Sequence, residues 1–285
     1  MNKILVTGSS GFIGSALVNK LQNSGYEVTK ISSKNGDITL AKTFSSYDLS
    51  GYKHVYHLAA RTYVPDSWKS PSEFNRTNVL GTSNVLDLCQ KFNVRMTYVS
   101  AYVYGIPDRL PVKESDPVNP NNPYALSKFL AEKLCEFYAN YYDLDITVIR
   151  PFNVYGPGQR SHFLIPAVIT QLEHDRIEVQ DTKAKRDYIY IDDVVLALCK
   201  SMKAPSGFNI YNIGSGHSLS VSDVINNILE SAGKNLPVHC NEKTRRNELP
   251  DVYASIEKAK NELDWTPTIP FQDGIKRILN VIKYE

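Results

Sequence analysis

Cysteine is scarce in this chain, and what there is lies scattered. Cys89, Cys135, Cys199 and Cys240 share no spacing, and three of them fall in apolar helical patterns, so buried thiols are expected rather than disulfides or a metal site. The six histidines show no ligand spacing, and no resident metal is expected. No stretch reaches the ~18 apolar residues of a membrane-spanning helix, and residues 1–8 read as a strand rather than a signal peptide. An excess of one charge is also missing: 32 basic residues face 30 acidic ones, net +2. With the signs mixed throughout, nothing calls for nucleic acid or a membrane surface as partner. Internal repeats and low-complexity segments are absent. What remains, 42% hydrophobic and 22% charged over 285 residues, suits one large domain or two intimate ones and reads as a cytoplasmic, enzyme-like protein.

The chain does have a rhythm of strand and helix patterns. Lys3–Thr7 is β-rich and runs straight into Gly8-Ser9-Ser10-Gly11-Phe12-Ile13-Gly14. An amphipathic stretch from Ser15 to Asn23 follows, Gly25 stops it, and Glu27–Ile31 is a second strand. A glycine-rich turn between strand and helix lets a pyrophosphate approach the outward-pointing N–H groups of a helix start, so this turn is a candidate dinucleotide cradle. Further strands are expected at His54–Leu58, Arg95–Ser100 and Asp145–Ile149. Helices are expected over Glu73–Phe92 and Tyr124–Tyr141, the latter with Ala131, Leu134, Cys135 and Tyr138 on an apolar face. Such alternation implies an α/β fold with a doubly wound parallel sheet. Beyond Gly158 the rhythm breaks into helices near Leu164–His174, Asp192–Met202, Val221–Ala232 and Phe271–Lys283 with short strands between. That is a smaller C-terminal lobe, with a ligand between the lobes at the carboxyl ends of the strands.

Within Asn121-Asn-Pro-Tyr-Ala-Leu-Ser-Lys128, Tyr124 and Lys128 stand four apart at a helix start, on one face. A phenol has a pKa of about 10 and is a poor acid or base at neutral pH. A neighbouring ammonium favours the phenolate, so the pair is a candidate proton-transfer device. Alone the pair is common and weak; behind a dinucleotide turn it gains meaning.

With the glycine turn ahead of Tyr124 and Lys128, the chain resembles the extended short-chain dehydrogenase/reductases that act on nucleotide sugars, over almost its whole length. Matching stretches are Thr7–Gly14, His57-Leu58-Ala59-Ala60, Val99-Ser-Ala-Tyr-Val-Tyr-Gly105, Tyr124–Lys128, Arg150-Pro-Phe-Asn-Val-Tyr-Gly-Pro-Gly158 and Arg186-Asp-Tyr-Ile-Tyr-Ile-Asp-Asp193. The resemblance implies a Rossmann domain over residues 1–156, to which the chain returns around 186–213, and a mainly nucleotide-sugar-binding lobe over 157–285. It implies Tyr124 as acid/base, Lys128 holding the nicotinamide ribose and depressing the tyrosine pKa, and Ser100 bonding the reacting oxygen. Gly8, Ser10, Gly11, Phe12, Ile13, Gly14, Ser32, Lys34, Asp37, Leu58, Ala59, Ala60 and Asn78 would join Tyr124 and Lys128 around an NAD or NADP. Asn153, Arg186 and Arg245 would hold the nucleotide-diphosphate sugar, and a homodimer would form through the helices near 73–92 and 123–141.

Departures from the family pattern narrow the chemistry. Ala101 and Tyr102 stand where sugar 4,6-dehydratases of this family carry Asp-Glu, where related decarboxylases carry a Glu and where reductases that epimerise at C5 carry a Cys. Hydride chemistry at one carbinol carbon is what remains. A 4-epimerase is the leading expectation, supported by Val64-Pro-Asp-Ser67, Pro71 and Asn78-Val-Leu-Gly-Thr82. The alternative is an NAD(P)H-dependent reductase of a 4-keto-(6-deoxy) sugar, and a dinucleotide-binding protein without catalysis is a distant third. The end of the second strand reads Ile31-Ser-Ser-Lys-Asn35, without the acid that usually binds the adenosine ribose in NAD enzymes. Lys34 therefore hints at NADP or is a solvated loop lysine, and Asp37 is an adenine contact or a turn residue. His162, just past the Gly-Pro-Gly-Gln-Arg160 loop, reads as a solvated histidine.

Overall fold

The computed structural model describes residues 2–241 and 249–284. β1 (Lys3–Thr7), α1 (Phe12–Asn23) and β2 (Glu27–Ile31) open the chain, and a single 3-10 turn at Ala41–Phe44 leads to β3 (Tyr52–His57). Next come α2 (Val64–Lys69), α3 (Pro71–Asn75), a π turn at Arg76–Leu80, α4 (Gly81–Phe92), β4 (Met96–Val99), α5 (Pro123–Tyr141) and β5 (Ile146–Pro151). The second half runs β6 (Asn153–Tyr155), α6 (Leu164–Thr170), β7 (Ile177–Val179), β8 (Lys185–Arg186), β9 (Tyr188–Tyr190) and α7 (Ile191–Ser201). It continues through β10 (Phe208–Ile213), β11 (Leu219–Ser220), α8 (Val221–Ala232), β12 (Val238–Cys240), α9 (Glu257–Leu263) and α10 (Phe271–Tyr284).

Six strands form one parallel sheet in the order β10-β5-β4-β3-β1-β2. Helices cover both faces, so the strands are apolar on both sides. Ile4 and Val6 of β1 pack with Leu17 of α1 and Leu198 of α7, whereas Leu5 between them packs with Cys89 of α4 and Cys135 of α5. From β1 the chain winds outward to β2 and then back across to β3, which puts the switch point between the carboxyl ends of β1 and β3. The glycine turn and Leu58–Ala60 leave the sheet at that point. Three two-stranded sheets, β11-β8, β12-β7 and β6-β9, build the second half around it.

Local chemistry explains the element borders. Pro123 sits in the first turn of α5 and Asn122 Oδ1 accepts the Ala125 N–H at 2.9 Å, an N-cap that fixes where the helix begins. The single helix expected over Glu73–Phe92 begins earlier, at Pro71, and is interrupted by the π turn. α2 and α9 carry too few periodic residues to be read in advance. Of the four free thiols, Cys89 and Cys135 are buried, but Cys199 and Cys240 are only half-buried. Asp187, fully buried, stitches the second half together: its carboxylate accepts N–H groups of Ser215, Gly216 and Ala254.

Candidate functional site

The glycine turn is shaped by close backbone approach. Gly8 has φ +69°, and a Cβ there would lie 2.6 Å from Ala59 N, so only glycine lets the turn after β1 touch the segment after β3. A Cβ on Gly14 would collide with the Gly8 carbonyl, which the start of α1 overlies. Gly11 is the N-cap of α1 and brings no side-chain cap. The N–H groups of the first turn, Phe12 and Ile13 among them, are thereby left to a ligand, with the positive end of the helix dipole behind them. Ser10 and Gly11 are exposed at the lip, and Leu58, Ala59 and Ala60 form the opposite wall, half-buried. An anionic pyrophosphate fits this cradle.

The end of β2 forms a closed turn. Asn35 Oδ1 accepts from Ser32 N at 2.7 Å and from Ser32 Oγ at 3.1 Å, which leaves Lys34 exposed beside it. Asp37 accepts the Thr39 N–H at 2.9 Å, and bonds from Thr39 hold its carboxyl below the usual range. Asp37 is thus occupied as a turn former.

Of the three expected reacting groups, Lys128 reaches the end of β4, where it donates to the carbonyl of the residue before Ser100, and Tyr124 stands one turn earlier on the same helix. Ser100 follows β4, its N–H donates to Ile149 O at 2.8 Å, and its Oγ is buried with no hydrogen-bond partner among the described residues. An orphaned buried hydroxyl is costly, and an oxygen of a bound molecule would satisfy it. Lys128, 2% exposed, donates to Val99 O at 2.6 Å and lies 4.3 Å over the Tyr98 ring. Burial lowers its ammonium pKa to about 7, against an opposing pull from Glu132. Burial pushes the Tyr124 phenol upward, and the Lys128 ammonium is turned to the Val99 carbonyl.

Other expected contacts fall out differently. Asn78, buried in the π turn, uses its amide on protein: Oδ1 accepts from Arg61 N at 2.8 Å, and Nδ2 donates to Arg61 O at 3.0 Å and Ser127 Oγ at 2.9 Å. That geometry makes it a brace between the loop after β3 and α5 rather than a free cofactor ligand. Asn153 is exposed and donates to Asp187 O at 3.1 Å. Arg186 donates to Lys185 O and Leu249 O at 2.7 and 2.6 Å. Arg245 lies outside the described residues. His162 is an exposed loop residue as expected, with its ring centroid 4.3 Å from that of Tyr63 and 4.6 Å from that of Phe163. Tyr102 donates to Gly105 O at 2.6 Å, and its ring rests against Phe152.

Two buried networks around the site had only faint sequence signals. Thr82 Oγ1 donates to Asn78 O, so it accepts from His57 Nε2 at 2.9 Å; His57 Nδ1 then accepts from Thr7 Oγ1 at 2.7 Å. His57 is a neutral Nε2–H tautomer spanning β1, β3 and α4. The second network joins Glu132, four residues beyond Lys128 on the same helix face, to Arg150 of β5. Among the described residues no cluster of His, Cys, Asp or Glu could hold a metal ion, and no helix is long and apolar enough to cross a membrane.

Comparison with known proteins agrees with this architecture. Residues 4–214 match the model of the NAD dependent epimerase/dehydratase family. A putative UDP-glucose 4-epimerase of Methanocaldococcus jannaschii is 31% identical, with 98% of each chain covered. A GDP-6-deoxy-D-mannose reductase of Pseudomonas aeruginosa is also 31% identical, over 79% of each chain. Among solved structures, RMD from Pseudomonas aeruginosa complexed with NADPH superposes with a TM-score of 0.91 at 28% identity, covering 98% of both chains.

Proposed function

Because the chain belongs to the NAD dependent epimerase/dehydratase family, we propose that it interconverts a nucleotide-diphosphate sugar and its C4 epimer by transient oxidation at C4. It is an NAD(P)-dependent enzyme of the extended short-chain dehydrogenase/reductase kind. The nicotinamide cofactor, when bound, takes up and returns a hydride. Gly8, Gly11, Gly14 and the first turn of α1 would hold its pyrophosphate. Tyr124 exchanges the proton of the sugar O4, and Ser100 Oγ gives its unspent hydrogen bond to that oxygen. Lys128, which donates to Val99 O here, would hold the nicotinamide ribose and, as a nearby cation, would favour the phenolate of Tyr124. Asn153, Arg186 and Arg245 would face the sugar nucleotide.

The observation that carries the reading is the orphaned Ser100 hydroxyl next to Val99, whose carbonyl receives Lys128, with Ala101 bearing no acid or base and the Tyr102 phenol donated to Gly105 O. Such a site serves one carbinol carbon and nothing that needs elimination. Full-length similarity to a putative UDP-glucose 4-epimerase favours inversion there. A second reading, reduction of a 4-keto sugar by NADPH, draws on the end of β2, where Lys34 is exposed and Asp37 is turned to Thr39, and on the neighbour complexed with NADPH.

One assay panel separates the two. Purified protein is incubated with UDP-glucose, UDP-galactose and their N-acetyl forms without added cofactor, while NADPH and NADH oxidation is followed with 4-keto-6-deoxy sugars. Interconversion without net cofactor consumption is expected. Stoichiometric NADPH loss with no interconversion would replace the epimerase by the reductase.

A further inference from the structure

We infer that Arg150 and Glu132 are positioning residues, a buried clamp that holds the helix carrying Tyr124 and Lys128 against the loop carrying Ser100. The inference rests on the reading of those three residues as the reacting groups. Tyr124, Lys128 and Glu132 succeed one another at four-residue steps along one face of α5. Glu132 is 2% exposed and receives both edges of the Arg150 guanidinium, Nε to Oε1 at 3.0 Å and Nη2 to Oε2 at 2.5 Å. The remaining Nη1 donates to Tyr104 Oη at 2.7 Å, and Tyr104 donates onward to Asn212 Oδ1 of β10 at 2.6 Å.

One planar group therefore fixes three elements. Arg150 is the residue after Ile149, whose carbonyl accepts the Ser100 N–H. Tyr104 lies four residues past Ser100 on the same loop. Glu132 lies one turn past Lys128. A slide of α5 against β5 would break a two-bond fork in a dry interior, where an unpaired charge is prohibitive. Sub-ångström placement of Tyr124 and Lys128 against Ser100 is what proton transfer demands. The clamp also carries charge. Facing Lys128 are Glu132 and Cys135 of its own helix, the Tyr98 ring of β4 and His57 of β3, and of these the Glu132 carboxylate favours the ammonium most. Lysine at position 150 would keep the charge but lose the fork and the bond to Tyr104.

Three variants test the clamp in the full-length protein: Glu132→Gln, Arg150→Lys and Tyr104→Phe. Lys128 is titrated by NMR on lysine-labelled protein without cofactor, and kcat, KM and melting temperature are measured with the nucleotide sugar that the wild type converts. In Glu132→Gln the Lys128 titration should move below about 7, because the carboxylate that favoured its charge is gone. In Arg150→Lys, kcat should fall about 100-fold with KM within about threefold. Tyr104→Phe, which keeps the ring and removes the two hydrogen bonds of its hydroxyl, from Arg150 and to Asn212, should lower kcat several-fold by more than its loss of melting temperature explains. An unmoved Lys128 titration in Glu132→Gln overturns the inference, as does a loss of kcat that merely tracks loss of melting temperature across the set. Should Glu132→Gln and Arg150→Lys not fold, Tyr104→Phe decides, and an unchanged kcat there overturns it. The NMR titration needs no substrate, so a wild type silent toward every sugar counts against the functional reading alone.

Discussion

Tyr124 is half-buried at the start of α5, and burial pushes its phenol further above the neutral range where it already carries its proton. Replacing it by Phe removes the proton and little else. Tyr124→Phe should lower turnover by about 10²–10⁴-fold while nicotinamide binding, followed by NADH fluorescence, stays near wild type; near-normal rates would remove Tyr124 from the chemistry. Histidine supplies a second test at this scale. Burial lowers His54 and His57 to about 3 from 6.5. Both are neutral when folded, and the unfolded chain takes up their protons first as pH falls. Their stabilisation is complete above 6.5 and is lost progressively toward 3, at about 1.4 kcal/mol per residue per pH unit. His54→Leu leaves Thr97 its bond to Ser201 and should flatten the pH dependence of unfolding between 6.5 and 4.5 by about one proton. Identical slopes in urea titrations would refute it. Tyr124 and Lys128 stood out because their types and spacing suggest chemistry, whereas Ser100 came only with the family resemblance. Glu132, Arg150 and His57 were not, since a charged or polar residue in a sequence looks solvated until the fold buries it.

Among elements, the first five strands of the large sheet and the glycine turn followed directly from apolar runs and small residues, and α5 from the helical spacing of its apolar face. What sequence periodicity could not supply was the π turn at Arg76–Leu80, which adds a residue to one turn without disturbing the apolar pattern. That turn carries Asn78 into the space between Arg61 and Ser127, so the brace was invisible although the residue itself stood out. The closed turn after β2 makes its own prediction. Ser32 is engaged by Asn35, and the nearest carboxylate, Asp37, is held by Thr39, so the exposed cation at Lys34 is the group available to a ribose 2′-phosphate. Lys34→Ala should weaken NADPH binding about tenfold, equivalent to about 1.4 kcal/mol, and leave NADH binding unchanged. Equal losses for the two cofactors, or none, would show that this turn does not choose between them.

Across the whole molecule, the parallel sheet and its two helical layers were foreseeable from alternation, but the return of β10 to the sheet edge depends on long-range pairing with β5 that no local pattern encodes. The outer face of α5 and the π turn before α4 is apolar and exposed. Leu126, Leu130 and Phe137 follow one another along α5 and are 40–49% exposed. Leu80 and Val79 border the same shallow groove as Leu130 and Leu134. Apolar side chains at helical spacing on a solvent face are a liability unless another surface covers them, and a second copy related by a twofold axis would bring the same apolar face to it. We expect a homodimer packed as four helices. Leu130→Asp would place two unpaired carboxylates across that axis while leaving the sheet and the site around Ser100 untouched. Sedimentation at micromolar concentration should then show a dimer for the wild type and a monomer for Leu130→Asp. A wild type that sediments as a monomer would remove this face as the interface, and a dimeric Leu130→Asp would move the contact elsewhere on the surface.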